Sequence, residues 1–403
     1  MTQRFKRIAL ILLIANLTLV LSSCSKFSIP GSQLFESKSS KPIPLAVLKE
    51  IKTSISVKKV WQINTGSSMG ENMIHPYLDK SSVYIAGGDS ASSWSKSNGK
   101  QLWKISVGET VSAGVNGSYA AAQQTGNTAQ IFIGTTSGNA IAIDANSGKI
   151  QWIERLSSEI LAVSPSKDNR VVFRTIDGKL HGLSADTGEA IWLRSQDVPS
   201  LTSVGAGVPV IVPPLVIAGF DNGKVAAYNL QDGRSAWEVA LALPRGQTDL
   251  ERIVDVDGKI KPLGNALFAA SLHGSSNGIN METGKIAWSK SFSTSTGVNV
   301  NPTGLYSTDD KGNIWKFDPQ NGNPVWSIDD LERRLPTVPV LVGSANIVIA
   351  DKQGNLHWVN TSSGKFVARV KGDPRGYSVE PEVMGNSIYA FGKSGILSRL
   401  SLQ

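Results

Sequence analysis

The chain has 403 residues, of which 40% are hydrophobic, 7% aromatic and 18% charged, with 39 glycines and a formal net charge of +8. This composition excludes a collagen-like, a disordered acidic or a polytopic membrane chain, and the many glycines point to short turns rather than long helices. Basic residues are scattered rather than clustered, so the footprint of a nucleic-acid binder is missing, and the single cysteine, Cys24, excludes an intramolecular disulfide, a CxxC pair and a Cys-rich zinc site.

Residues 1–7 are short and basic, and Ile8 to Leu21 is apolar apart from Asn16 and Thr18. That run is shorter than the roughly 20 residues a helix needs to cross a bilayer core, so residues 1–23 read as a secretory signal peptide. Leu21-Ser22-Ser23-Cys24 resembles a bacterial lipobox, in which the thiol accepts diacylglycerol and becomes the lipidated first residue. The resemblance implies an acylated Cys24, an anchor strengthened by about 0.8 kcal/mol per buried CH2. Ser rather than Asp at position 25 implies, on the same resemblance, export to the outer membrane facing the periplasm. Residues 24–56 are rich in Ser and Pro and read as the lipidated terminus and a flexible tether, whose reach is roughly 30 Å.

From residue 57 to 403 one frame is written repeatedly. In Gly138-Asn-Ala-Ile-Ala-Ile-Asp144-Ala-Asn-Ser-Gly148-Lys-Ile-Gln-Trp152 a second Gly follows the first by ten residues and a Trp follows four later. The frame recurs at Gly178/Gly188/Trp192, Gly223/Gly233/Trp237, Gly274/Gly284/Trp288 and Gly312/Gly322/Trp326. A further copy has Gly354 and Gly364 but Ala368 in place of Trp, and the earliest has Asp89 at the first Gly. Successive Trp positions lie 38 to 51 residues apart, the period of propeller blades. Ile131 to Gly134 predicts a short strand, and Ala140 to Ile143 predicts a buried strand near a crowded axis. Asp144 to Gly148 predicts a hairpin loop, and Ile150 to Ile153 the outer strand, whose Trp152 packs on the neighbouring blade. Asp144, Ser184, Asn229, Asn280, Asp318 and Asn360 share one place in the frame and read as turn caps.

The chain ends inside a copy, and Val60-Trp61-Gln62-Ile63 supplies the strand that copy lacks. The expectation is an all-β, eight-bladed propeller of four-stranded antiparallel blades, its ring closed by the N-terminal strand so that no sheet edge is left at the seam.

The Gly–Trp frame resembles that of the pyrroloquinoline-quinone-like propellers, which include quinone-dependent dehydrogenases. That resemblance implies a calcium site, a catalytic Asp and often a vicinal disulfide, and the last is impossible with one cysteine. His75, His181, His273 and His357 are dispersed over the frame, and His181 and His357 fall in blades far apart, so no three- or four-ligand metal shell is expected. Gly219 to Lys224 lacks the Ser or Thr of a phosphate loop, because Val225 follows. No nucleophile elbow or HExxH is present. The reading is a binding protein with no catalytic residue, no metal and no cofactor.

Function is then sought where the chain leaves its own repeat. The Trp237–Trp288 interval contains Leu243-Pro-Arg-Gly-Gln-Thr-Asp-Leu250-Glu-Arg252-Ile-Val-Asp255-Val-Asp257, in which charged and apolar residues alternate. It reads either as a docking surface or as an edge strand protected by charge. Here the chain resembles the BamB family of outer-membrane barrel-assembly lipoproteins, through the lipobox, the tether, the eight repeats and Leu250-Glu-Arg252-Ile-Val-Asp255-Val-Asp257. The resemblance implies a scaffold that binds the periplasmic domains of a BamA-type barrel insertase, alongside other assembly lipoproteins, with Asp255, Asp257 and Arg252 among the contacts. Pro199-Ser200-Leu201 matches a second family patch, which implies a contact at Leu201. Ser203 and Val204 then depart from its leucine-arginine, so a charged contact is absent or supplied elsewhere. The alternatives left open are a periplasmic propeller adaptor of other purpose and a quinone-dependent dehydrogenase.

Overall fold

The computed structural model describes residues 44–67, 73–119, 126–202, 205, 207–244 and 247–403. The signal segment, Cys24, Ser203 and Val204 lie outside them.

Each repeat folds for local reasons. Strand Gln130–Thr135 stops at a turn where Gly138 takes φ 86°, and the chain returns as Asn139–Asp144. Asp144 Oδ1 then accepts the Ser147 amide at 2.7 Å, and Gly148, at φ 74°, closes the hairpin into strand Ile150–Arg155. Asn229, Asn280, Asp318 and Asn360 cap the equivalent turns through their side-chain oxygens, as does the Ser184 hydroxyl. With the preceding strand Val111–Asn116 these make one four-stranded antiparallel sheet.

Among the described residues the unit occurs eight times. Blades one to seven span residues 77–106, 111–155, 160–195, 210–240, 261–291, 298–328 and 340–371. Blade eight joins Glu382–Met384, Ser387–Phe391 and Ile396–Leu402 to the N-terminal strand Val57–Asn64, in register from Val57↔Leu402 to Asn64↔Ile396. The eight-bladed ring and its N-terminal closure are therefore as expected from the sequence.

Neighbouring blades interlock through the frame residues. Indole Nε1 of Trp103, Trp152 and Trp237 donates to the carbonyl of Ala145, Ala185 and Met281 on the next blade, at 2.8, 2.8 and 2.7 Å. Each ring lies over the second Gly of that blade's hairpin: a Cβ on Gly148, Gly188 or Gly284 would come within 2.8, 2.7 and 2.7 Å of it. Ala368 now has a reason. The hairpin that a Trp there would cover is missing, because blade eight takes its third strand from Ile396–Leu402 and its fourth from Val57–Asn64, which no hairpin joins.

One expectation needs correction. Ala140 to Ile143 lies on the third strand of four rather than nearest the axis; the inner strand is Val111–Asn116. Its residues are small because the indole crosses them. Ala142, Gly182, Ala227 and Gly278 pair in register with Trp152, Trp192, Trp237 and Trp288.

Antiparallel alternation gives the ring two faces. Turns between the first and second strands, and between the third and fourth, lie on one, called here the hairpin face. Turns between the second and third strands, and the connections from blade to blade, lie on the other, the loop face.

The tether does not run free to residue 56. Ala46 N donates to Glu332 O at 3.2 Å and Ser54 N to Val367 O at 2.9 Å. Lys49 pairs with Asp330 at 2.5 Å, while Leu48 and Ile55 pack on the cores at blade seven. Residues 45–56 therefore belong with the propeller.

Candidate functional site

Two blade-to-blade connections on the loop face carry the residues singled out by the sequence. The first covers 196–209, between strands Ala190–Ser195 and Val210–Val212. The second covers 241–260, between Ser235–Ala240 and Lys261–Leu263.

The second connection has two unlike halves. Residues 243, 244 and 247–252 are exposed: Leu243 by 63%, Leu250 by 68%, with Arg252 beside it. A turn orders them, since Glu251 accepts the amides of Gln247 at 2.8 Å and Thr248 at 3.1 Å. Residues 253–257 instead are buried and inlaid between blades four and five. Val256 N donates to Phe220 O at 3.1 Å, Leu272 N to Asp255 O at 3.0 Å, and His273 Nδ1 lies 3.1 Å from Ile253 O. The alternation Ile-Val-Asp-Val-Asp thus fills a seam.

The expectation that Asp255 and Asp257 present carboxylates to a partner is corrected by this geometry. They are 2% and 7% exposed. Asp257 Oδ1 accepts from Arg174 Nη1 at 3.0 Å, and Asp221 takes the other arm of the same guanidinium. Arg174, on strand Arg170–Thr175 of blade three, is fully buried. Burial pushes the Asp257 carboxyl up; Arg174 opposes that rise, while Asp221 and Asp255 add to it. Burial also weakens the Arg174 guanidinium as a cation, but Asp257 and Asp221 outweigh this and raise its pKa. Leu201, 42% exposed, and Arg252 do lie at the surface as expected. The sequence reading missed Arg174. Its signal was a lone charge ending the apolar run Val171-Val172-Phe173, which a strand covered on both faces tolerates only with a partner.

The ring encloses an axial cavity of about 580 Å³, walled by inner-strand residues such as Tyr77, Val115, Ile211 and Lys261. In it Lys259 Nζ, ahead of blade five, meets Glu380 Oε1, ahead of blade eight, at 2.6 Å. Burial raises the Glu380 carboxyl's affinity for its proton, but Lys259 and His75 outweigh it and hold the pKa down to about 2. Burial, with Lys259 adding to it, lowers Lys261 to about 8. His75, Glu380 and Glu382 bring ligand-type atoms within 4.8 Å of one another, a grouping the sequence did not reveal. Lys259 already supplies the cation there, so the grouping reads as an ion pair across the channel. His181 and His357 are strand histidines with local partners, Ser157 and Asp351, at 3.2 and 3.0 Å.

The fold and this face define a closed propeller scaffold, whose loop face raises exposed Leu201, Leu243 and Leu250 from two blade-to-blade connections. Comparisons with known proteins give the family. The family profile of outer membrane protein assembly factor BamB matches residues 114–328. The chain is 30% identical over 392 residues to the assembly factor BamB of Burkholderia pseudomallei, covering 97% of each chain. It is 32% identical over 364 residues to that of Pseudomonas aeruginosa, covering 90% of this chain and 93% of the relative. The chain belongs to the BamB family of outer-membrane protein assembly factors. The structure of BamB from Moraxella catarrhalis superposes with a TM-score of 0.78 at 22% identity, over 86% of this chain and all of that one. A quinohemoprotein alcohol dehydrogenase from Comamonas testosteroni superposes at 0.64 with 12% identity, over 86% and 76%, which shows the shared propeller alone. Family membership decides against the dehydrogenase alternative and makes the chain a non-enzymatic factor associated with the outer membrane.

Proposed function

We propose that this chain is a lipoprotein scaffold, acylated at Cys24 and held at the periplasmic face of the outer membrane. It binds the periplasmic domains of a BamA-type insertase, in company with other assembly lipoproteins, and so assists the folding and insertion of β-barrel proteins. It works by binding and orienting, without chemistry. Leu201, Leu243 and Leu250 are the apolar contacts, and Arg252 sets orientation by charge at the rim. Asp255 and Asp257 serve the same surface from beneath, by holding the loop that carries Leu250.

The observation that carries this reading is the split in the connection 241–260. Its inner half is fixed between two blades, while its outer half raises large aliphatic side chains into solvent. A rigid base under exposed apolar residues is what a docking surface needs, because little order remains to be lost on binding.

The test is affinity purification from mildly solubilised envelopes, comparing wild type with Leu250→Asp/Arg252→Glu. A large barrel protein with periplasmic domains should accompany the wild type and fall at least tenfold with the variant. Equal recovery with both would remove this face from the contact, and no such protein in either would remove the assembly role.

A further inference from the structure

The buried charges beneath the docking face do more than fill space. Arg174 comes from blade three, Asp221 from the turn between strands Leu215–Gly219 and Lys224–Asn229 of blade four, and Asp257 from the connection into blade five. One guanidinium therefore ties three successive blades. The other docking loop rests on the same group: a Cβ on Gly205 would collide with the Asp257 side chain, and one on Gly207 would lie 3.2 Å from the Asp257 carbonyl oxygen. Phe220 closes the site from one side, with its ring centre 5.9 Å from the Arg174 guanidinium carbon.

We propose that Arg174 is a positioning residue for partner binding: through Asp257 and Asp221 it sets Gly205 and Gly207 of one connection against Asp257 of the other, so that Leu201 and Leu250, borne on these two connections, are presented together. The proposal rests on the docking face described above. A buried triad of one cation and two carboxylates gives little net stability over an apolar replacement, because desolvation cancels much of the attraction. What it does supply is direction. A planar guanidinium donates to two carboxylates in one arrangement, where apolar side chains would tolerate many.

The experiment measures stability and binding of the same variants. Arg174→Met/Asp221→Leu/Asp257→Leu removes the cation of the triad together with both of its carboxylates. It should melt near wild type yet bind the purified periplasmic domains of the insertase at least tenfold more weakly. Hydrogen exchange should quicken in 196–209 and 241–260 and in no other connection. Arg174→Lys is the second variant, for the case in which the triple one does not fold. An ammonium lacks the planar fork that fixes the angle between the two carboxylates, so affinity should fall several-fold at unchanged melting temperature. Wild-type affinity in either folded variant would overturn the proposal. Leu250→Asp, run alongside, separates the causes. If it loses binding while the Arg174 variants keep it, only the positioning role fails; if it too binds normally, the docking face fails and the positioning role with it.

Discussion

Replacing Gly188 by Ala tests the interlock that closes the ring. Gly188 sits at φ +78°, and the added Cβ would lie 2.7 and 2.8 Å from two carbons of the Trp152 indole on the preceding blade. Two costs follow. Holding an L-residue in the left-handed region costs about 1–2 kcal/mol, and overpacking a rigid ring contact costs about 1–3 kcal/mol, so the variant should lose roughly 2–5 kcal/mol. Gly385→Ala is the control: its φ is +60°, but nothing lies within 4 Å of its Cβ, so only the first cost applies. Urea unfolding followed by tryptophan fluorescence should place Gly188→Ala about 1–3 kcal/mol below the control. In a Trp152→Ala background that gap should close, because the obstructing ring is gone. Equal losses for the two glycines in the parent protein would refute the idea that the second frame Gly exists to receive the neighbouring indole.

Two further outcomes follow from buried charge. His181, pushed down to about 4 by burial, is neutral when folded and gains a proton on unfolding below its ordinary 6.5. Its contribution is complete above pH 6.5 and drains away as pH falls towards 4, by about 3 kcal/mol in all. Urea melts at pH 7 and pH 4.5 should show a smaller acid loss in His181→Gln than in wild type, and parallel losses would contradict this. In the axial cavity, Lys259→Met strips the ammonium from a Glu380 that is 8% exposed, which should cost about 3 kcal/mol, at the lower end for a broken buried pair. Lys259→Met/Glu380→Gln should recover most of it in thermal melts; a double variant as unstable as the single one would show that the pair is not what matters there.

The fold was legible because each frame residue acts on its immediate surroundings. Gly148 turns a hairpin, Asp144 caps it, and Trp152 needs Ala142 or its equivalent opposite. Even the missing Trp at Ala368 follows from the absence of a hairpin between the outer two strands of blade eight. The site was legible only in part. Leu250, Arg252 and Asp257 were found as an irregularity in the repeat, but the burial of Asp257 depends on Arg174, 83 residues earlier on another blade. Nothing local to Val256-Asp257 distinguishes a carboxylate raised into solvent from one turned inward to a distant guanidinium. The end of the tether was misjudged for a similar reason. Arg334 and Arg369 hold its carbonyls at Ala46 and Lys49, at 3.3 and 2.9 Å, from positions more than 280 residues away.

The central claim, that the loop face is where the insertase binds, is tested most directly by photo-crosslinking in the living envelope. A photoreactive residue would be placed in turn at Leu201, at Leu250 and, on the opposite hairpin face, at the exposed Asn146. Adducts with a large barrel protein bearing periplasmic domains should form from positions 201 and 250 and be absent from position 146. An adduct from position 146 with none from 201 or 250 would contradict the account, because the partner would then be seated on the wrong side of the ring.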